Sequence, residues 1–182
     1  WDILSGRVAP AERVLLVDDH GADQAPSVGE FMAERGAQVE IVTPERQILS
    51  EVGMINFSAY LRRLYARGVV ISPDTGVVEV YREGNTLVAV LRNEFTLQEE
   101  ERVVDQVVAE HGTLPNDELY QALRPHSLND GEIDMRALVE GKAQAIRHNP
   151  EGTFQLFRVG DAWTSRNIHA AIYDSLRLCK DF

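Results

Sequence analysis

The stretch from Arg13 to Val42 constrains the fold more than any other part of the chain. Residues 13–17 (RVLLV) form an almost unbroken apolar run, the pattern of a parallel strand covered on both faces. Ser27-Val28-Gly29-Glu30 reads as a capping box that starts a helix through Val28, Phe31 and Met32, and Gly36 closes it. Val39, Ile41 and Val42 then supply a second strand, so the stretch is a βαβ unit, which crosses over right-handedly. A second helix is expected from an Asn56 cap through Phe57, Tyr60, Leu61, Leu64 and Tyr65 to Gly68, followed by a strand at Val69–Ile71.

From Gly76 the period changes to two. Val78 and Val80, then Leu87, Ala89 and Leu91, flank the turn Glu83-Gly84-Asn85 and predict an antiparallel meander. Phe95 and Leu97 are expected to extend it as a third strand, leaving the acidic run Glu99–Glu101 as a solvated edge or turn. Asp105–Ala109 is read as the last parallel strand, with Gly112 as its exit and Pro115-Asn116 as the restart of a helix running to Arg124. Ser127–Gly141 is expected as loop with a short helix near Met135–Val139, and Asn149–Gly152 as a turn.

The tail, Phe154–Phe182, reads as a buried strand through Phe154, Leu156, Phe157 and Val159, then Gly160-Asp161, then a helix capped by Thr164 or Ser165. Ile168, Ala171, Ile172, Leu176 and Cys179 fall on one face of that helix, with Arg177 and Lys180 in its last turn. Such a turn aims helix N–H groups and the positive dipole end at whatever lies above the strand tip, which suits an anionic or hydroxyl-rich ligand. Many α/β domains carry the same pattern and bind nothing there.

Paired with DQVVAEHGTLPN (Asp105–Asn116), the tail resembles the two late motifs of flavoprotein reductases of the glutathione reductase type. Across nearly the whole chain, the runs VLLVDDHG, EIVTPER, EHGTLPNDELY and VGDAWTSRNIHAAIYDSLRLCKD are similar to the C-terminal nucleotide-binding region of old yellow enzyme-like NADH:flavin oxidoreductases, the trimethylamine dehydrogenase and dienoyl-CoA reductase group, and within it to N-methylproline demethylases. The resemblance implies an α/β, Rossmann-like three-layer fold of the FAD/NAD(P)-binding type with an inserted antiparallel meander. It divides the chain into a linker (1–12), a degenerate NAD(P)-binding-like domain (13–112) and the C-terminal part of an FAD/ADP-binding-like domain (113–182). Carried over residue by residue, cofactor contacts fall on Gly160, Asp161 and Ala162, with Arg166 and Asn167 beside them.

In the parent enzyme the resemblance implies FMN, an iron–sulfur cluster and FAD or ADP. Its chemistry would be hydride removal from an N-methyl amine to a flavin, followed by hydrolysis of the iminium. The barrel holding FMN and the flavin-domain half would then be partners of this chain, and a homo-oligomer is a further possibility. No cofactor is expected in this chain alone, and no catalysis. A structural or oligomerisation module with a vestigial nucleotide site is the other reading.

The phosphate-cradling glycine loop is the weak point. Where G-x-G-x-x-G would follow Val17, the chain has Asp18-Asp19-His20-Gly21-Ala22-Asp23-Gln24, and two carboxylates at a strand tip repel a pyrophosphate. Thr43 and Pro44 precede Glu45 where an acid should take ribose hydroxyls, and Arg46 is a weak signal for a 2′-phosphate. Loss of ordinary NAD(P)H binding is therefore expected. The acidic tip also imitates a phospho-acceptor receiver domain, but that family's third-strand aspartate and late lysine have no good counterpart. His20 beside Asp18 and Asp19 is read as a polar turn rather than a metal site, His111 as a turn residue, His169 as a solvent-facing or sheet-packed side chain, and Tyr65, Tyr120 and Tyr173 as packing residues.

Composition adds exclusions. A net charge of −11, with sixteen arginines and two lysines scattered among 29 acidic residues, argues against nucleic acid or an anionic membrane as partner. There is neither a long apolar span nor a secretion-type leader, so a cytoplasmic location is expected. The single Cys179 cannot hold an iron–sulfur cluster and is expected to be inert core.

Overall fold

The computed structural model describes residues 1–179, which form two compact units, residues 1–112 and residues 113–179. In the first, strands β1 (Arg13–Asp18), β2 (Gln38–Val42), β3 (Val70–Ser72) and β7 (Gln106–Glu110) make a parallel sheet of order β3-β2-β1-β7. Strands β4 (Thr75–Glu83), β5 (Thr86–Asn93) and β6 (Glu99–Val104) make a separate antiparallel sheet.

The apolar run of β1 shows why three layers form. Alternate side chains leave a strand on opposite faces. Val14 and Leu16 pack with Val28 and Met32 of helix α1 (Gln24–Glu34) and Leu64 of helix α2 (Met54–Ala66). Leu15 and Val17 pack on the other side with Ala89 and Leu91 of β5 and Val104 of β6. The order is thus helices, parallel sheet, meander. At Gly29 the helix approaches the sheet so closely that a Cβ would sit 3.0 Å from Ile41 Cδ1 and 3.3 Å from Leu16 Cδ2. Ile3, in the stretch expected as a linker, is buried in the helix-side core.

Several expected boundaries are corrected. α1 starts a turn early, with Asp23 as N-cap, and no capping box forms; the Ser27 N–H donates to Asp23 O, and its hydroxyl lies 3.5 Å from that of Tyr60. Pro26 is tolerated because first-turn N–H groups have no helical partner in any case. α2 likewise begins after Gly53, ahead of Asn56. The third meander strand is the acidic run itself, paired as Leu91↔Glu100 and Ala89↔Arg102. An edge strand carries charge at little cost, and Arg102 there meets Glu40 at 2.9 Å and Glu100 at 2.8 Å. Phe95 and Leu97 instead lie in the β5–β6 turn, which Asn93 Oδ1 holds by accepting the Phe95 and Thr96 N–H groups.

The second unit contains helices α3 (Glu118–Leu123), α4 (Met135–Glu140) and α5 (Ile168–Cys179), with single 3₁₀ turns at Arg124–His126 and Gly160–Ala162. The strand expected over Phe154–Val159 is absent: the segment is half-buried and has no ladder partner among the described residues. Asn129, only 1% exposed, stands in for a neighbouring strand. Its Oδ1 accepts the Leu156 N–H at 2.8 Å and its Nδ2 donates to Leu156 O at 2.8 Å. Asn167, not Thr164 or Ser165, caps α5 through Oδ1 to the Ala170 N–H at 2.9 Å. Cys179 is exposed, because the helix turns Leu178 inward at that level. Lys180 lies outside the described residues.

Candidate functional site

Two strand-tip regions were singled out by sequence, one in each unit. The first lies where β1 and β7 end side by side, with Asp18 in register with Glu110. It is the point at which the chain departs to either side of β1, where open α/β sheets bind their ligands. Asp18 is fully buried. Its Oδ1 accepts the N–H groups of Gly21 at 2.9 Å and His20 at 3.3 Å, while Oδ2 has no partner. Burial pushes this carboxyl above the usual aspartate range; the two N–H donors and His20 work against the rise, and the charge of Glu110 adds to it.

The neighbouring groups are also engaged. Asp19 Oδ2 lies 2.6 Å from His111 Nδ1, and Glu110 Oε1 accepts the Gly112 N–H at 2.8 Å. The His20 ring lies so close to Gly112 that a Cβ there would be 3.0 Å from Nδ1. No group of three His, Cys, Asp or Glu residues among those described has metal-holding geometry.

The second region is the turn before α5. Gly160 is buried at φ +57, and a Cβ on it would lie 2.8 Å from Ala171 Cβ, so the helix packs directly on the turn. Asp174, on α5, holds the turn together: its Oδ2 accepts the Gly160 N–H at 3.3 Å and pairs with Arg166. Of the five residues expected at a cofactor, Gly160, Asp161 and Ala162 share one 3₁₀ turn, Arg166 is bound to Asp174, and Asn167 is the helix cap. Asp161 is exposed.

A cleft of ≈ 210 Å³ adjoins the turn, lined among others by Met135, Leu138, Arg158, Trp163, Arg166 and Arg177. Arg158 pairs with Asp117 at 2.5 Å and stacks against the rings of Tyr120 (4.7 Å) and Trp163 (5.0 Å). Arg158, Trp163 and Asp174 were not anticipated from sequence. Arg158 meets Asp117 41 residues away and Trp163 five away, and Asp174 meets Arg166 and Gly160 8 and 14 away, spacings that no strand or helix period marks. Tyr120 packs as expected and donates to Gly131 O, whereas Tyr65 and Tyr173 are exposed, as is His169.

No family model matches the chain. It is 46% identical over its full length to the N,N-dimethylglycine/sarcosine dehydrogenase of Chromohalobacter salexigens and 45% identical, again over its full length, to a probable N-methylproline demethylase of Rhizobium meliloti. It spans 27% of each relative's length. Among solved structures, histamine dehydrogenase from Rhizobium sp. 4-9 superimposes on 97% of the chain with a TM-score of 0.69 at 20% identity, and the chain covers 24% of it. Thioredoxin reductase from T. acidophilum superimposes on 96% with a TM-score of 0.60 at 16% identity, 52% of it being covered. These two likenesses are likenesses of fold. The chain therefore shares its fold with histamine dehydrogenase and thioredoxin reductase over nearly all of its length, and is similar in sequence to about a quarter of a dimethylglycine/sarcosine dehydrogenase and of a probable N-methylproline demethylase.

Proposed function

We propose that the chain is the dinucleotide-binding-like module of a flavin-dependent oxidoreductase that oxidatively demethylates an N-methyl amino acid, with NADH:flavin oxidoreduction as the alternative within the same class. The observation that carries this reading is identity near one half, over all of this chain and 27% of each relative, to two proteins named for N-methyl amine substrates. Residues 113–182 serve as the C-terminal part of an FAD- or ADP-binding-like domain, and residues 13–112 as a scaffold that has given up ordinary NAD(P)H binding. The remaining partners are a barrel for FMN and substrate and the other half of the flavin domain.

The residues present fit an adenosine diphosphate portion in part. Asp161 offers an exposed carboxylate for ribose or ribityl hydroxyls on a turn locked by Gly160 and Asp174, whereas Arg166 and Asn167 are committed to Asp174 and to the helix cap. With one cysteine, the chain does not fit an iron–sulfur cluster. A bound flavin would supply hydride acceptance; this chain's own share is to hold the adenosine end and keep α5 in place. No helix among the described residues is long and apolar enough to cross a membrane.

A structural module with a vestigial site is favoured by one observation, the acidic tip of β1, and that reading applies to the first unit. The test is a chimera in which this chain replaces the matching 27% of the Chromohalobacter dehydrogenase. Retained flavin and retained oxidation of dimethylglycine or sarcosine support the proposal. A folded chimera that keeps its flavin but oxidises neither amine contradicts it.

A further inference from the structure

Resting on the reading that the first unit refuses dinucleotides, we infer that Asp18 is the residue that enforces the refusal, by occupying as an internal anion the loop N–H groups that a ligand phosphate would take. Phosphate binding at a strand tip depends on free backbone N–H groups converging on one spot. At the tip of β1 those of His20 and Gly21 converge on Asp18 Oδ1, at 3.3 and 2.9 Å. The carboxylate reaches them from the last residue of the strand and lies wholly beneath the surface. Its other oxygen, Oδ2, meets no hydrogen-bond donor of the protein. Burying that oxygen costs free energy, and the two N–H groups bonded to Oδ1 offset part of the cost. Thus bonded, Oδ1 closes the loop against anions.

Simple charge repulsion is a different mechanism, and Asp19 separates the two. Asp19 carries the same charge one residue on, but is partly exposed and turned to His111 at 2.6 Å, with no loop N–H group bound. Repulsion predicts that neutralising either residue helps a phosphate, the buried Asp18 more than the screened Asp19. Occupation of the N–H groups predicts that only Asp18 matters.

The experiment is a titration of the chain and its D18A and D19N variants with inorganic pyrophosphate, followed by calorimetry and by the amide resonances of His20 and Gly21. Asp18→Ala is expected to bind pyrophosphate about tenfold tighter or better, since hydrogen bonds to a charged acceptor become available. Its His20 and Gly21 amides should shift, and D19N should behave as the unaltered chain. Should D18A not fold, the unaltered chain still decides: pyrophosphate must leave its His20 and Gly21 amides unmoved, and their shifts must follow the titration of a single carboxyl. Equal pyrophosphate affinity in the unaltered, D18A and D19N chains overturns the role of Asp18 while leaving the loss of dinucleotide binding intact. NADH binding by the unaltered chain overturns that loss itself, and with it the premise.

Discussion

Replacing Gly160 by alanine is the most exacting test of the second unit. The residue sits at φ +57, where a non-glycine residue costs about 1–2 kcal/mol. Its new Cβ would lie 2.8 Å from Ala171 Cβ and 3.3 Å from Ala171 Cα, an overpacking that costs about 1–3 kcal/mol. Together the two terms give about 2–5 kcal/mol, against a total of roughly 4–10 kcal/mol expected for a unit of this size. The assay is urea unfolding followed by Trp163 fluorescence in a Trp1→Phe background, since these are the two tryptophans and Trp163 directly follows the turn. With a slope of about 1–3 kcal/mol per molar urea, the midpoint should fall by about 1 M or more.

The Ala171→Gly partner separates strain from clash. Alone it costs about 1 kcal/mol, the helix penalty of glycine. Combined with Gly160→Ala it should relieve the clash and leave the φ term, giving a coupling of about 1–3 kcal/mol. A Gly160→Ala chain within 0.5 kcal/mol of the parent, or a coupling of zero, would refute the close packing of α5 on the turn.

Other substitutions test the remaining structure. Asn129→Ala leaves the Leu156 N–H and C=O and the Glu132 C=O without a partner, and should cost about 3 kcal/mol or more in the same unfolding assay. Asn167→Ala should cost about 0.5–2 kcal/mol as a lost cap, while Thr164→Ala and Ser165→Ala should be near neutral; the reverse order would restore the expected cap. Asp18 titrates higher in the folded chain than its unfolded value of 3.8, so between those two values the native state binds more protons. Stability attributable to it is then greatest at low pH and falls as pH rises through that window. The gap between the Asp18→Asn variant and the parent should therefore widen in the variant's favour across it, and a gap independent of pH would contradict the burial of that carboxyl.

Much of the first unit was legible because its signals are local. The apolar run of β1 and the glycine that ends α1 both describe a covered parallel strand and its crossover, and the Glu83–Asn85 turn marks the meander. Errors arose where a tertiary partner overrides the local pattern. Glu99–Glu101, expected as a solvated edge or turn, is an exposed edge, but it and not Phe95 and Leu97 supplies the third strand, with Arg102 paired to Glu40. Phe154–Val159 looks like a strand, but a strand needs a neighbour; here the Asn129 side chain bonds Leu156 and the Leu128 N–H bonds Phe154 O instead. Ser27 and Asn56 look like caps, but each helix begins earlier than its expected cap.

At the candidate sites, the Gly160-Asp161 turn was visible as a motif, whereas the hold of Asp174 on it joins residues 14 apart and leaves no local trace. The capture of loop N–H groups by Asp18 had a readable signature, an aspartate two and three residues before the donors, but the pair Asp18-Asp19 invited an argument from charge alone.

For the first unit, the proposal is that the tip of β1 takes no nicotinamide nucleotide. Calorimetric titration of the chain with NADH, and with NADPH beside it, tests that most directly. The account predicts no saturable heat in the micromolar range with either nucleotide; saturable micromolar binding of NADH, abolished by substitutions at the β1 tip, would contradict it.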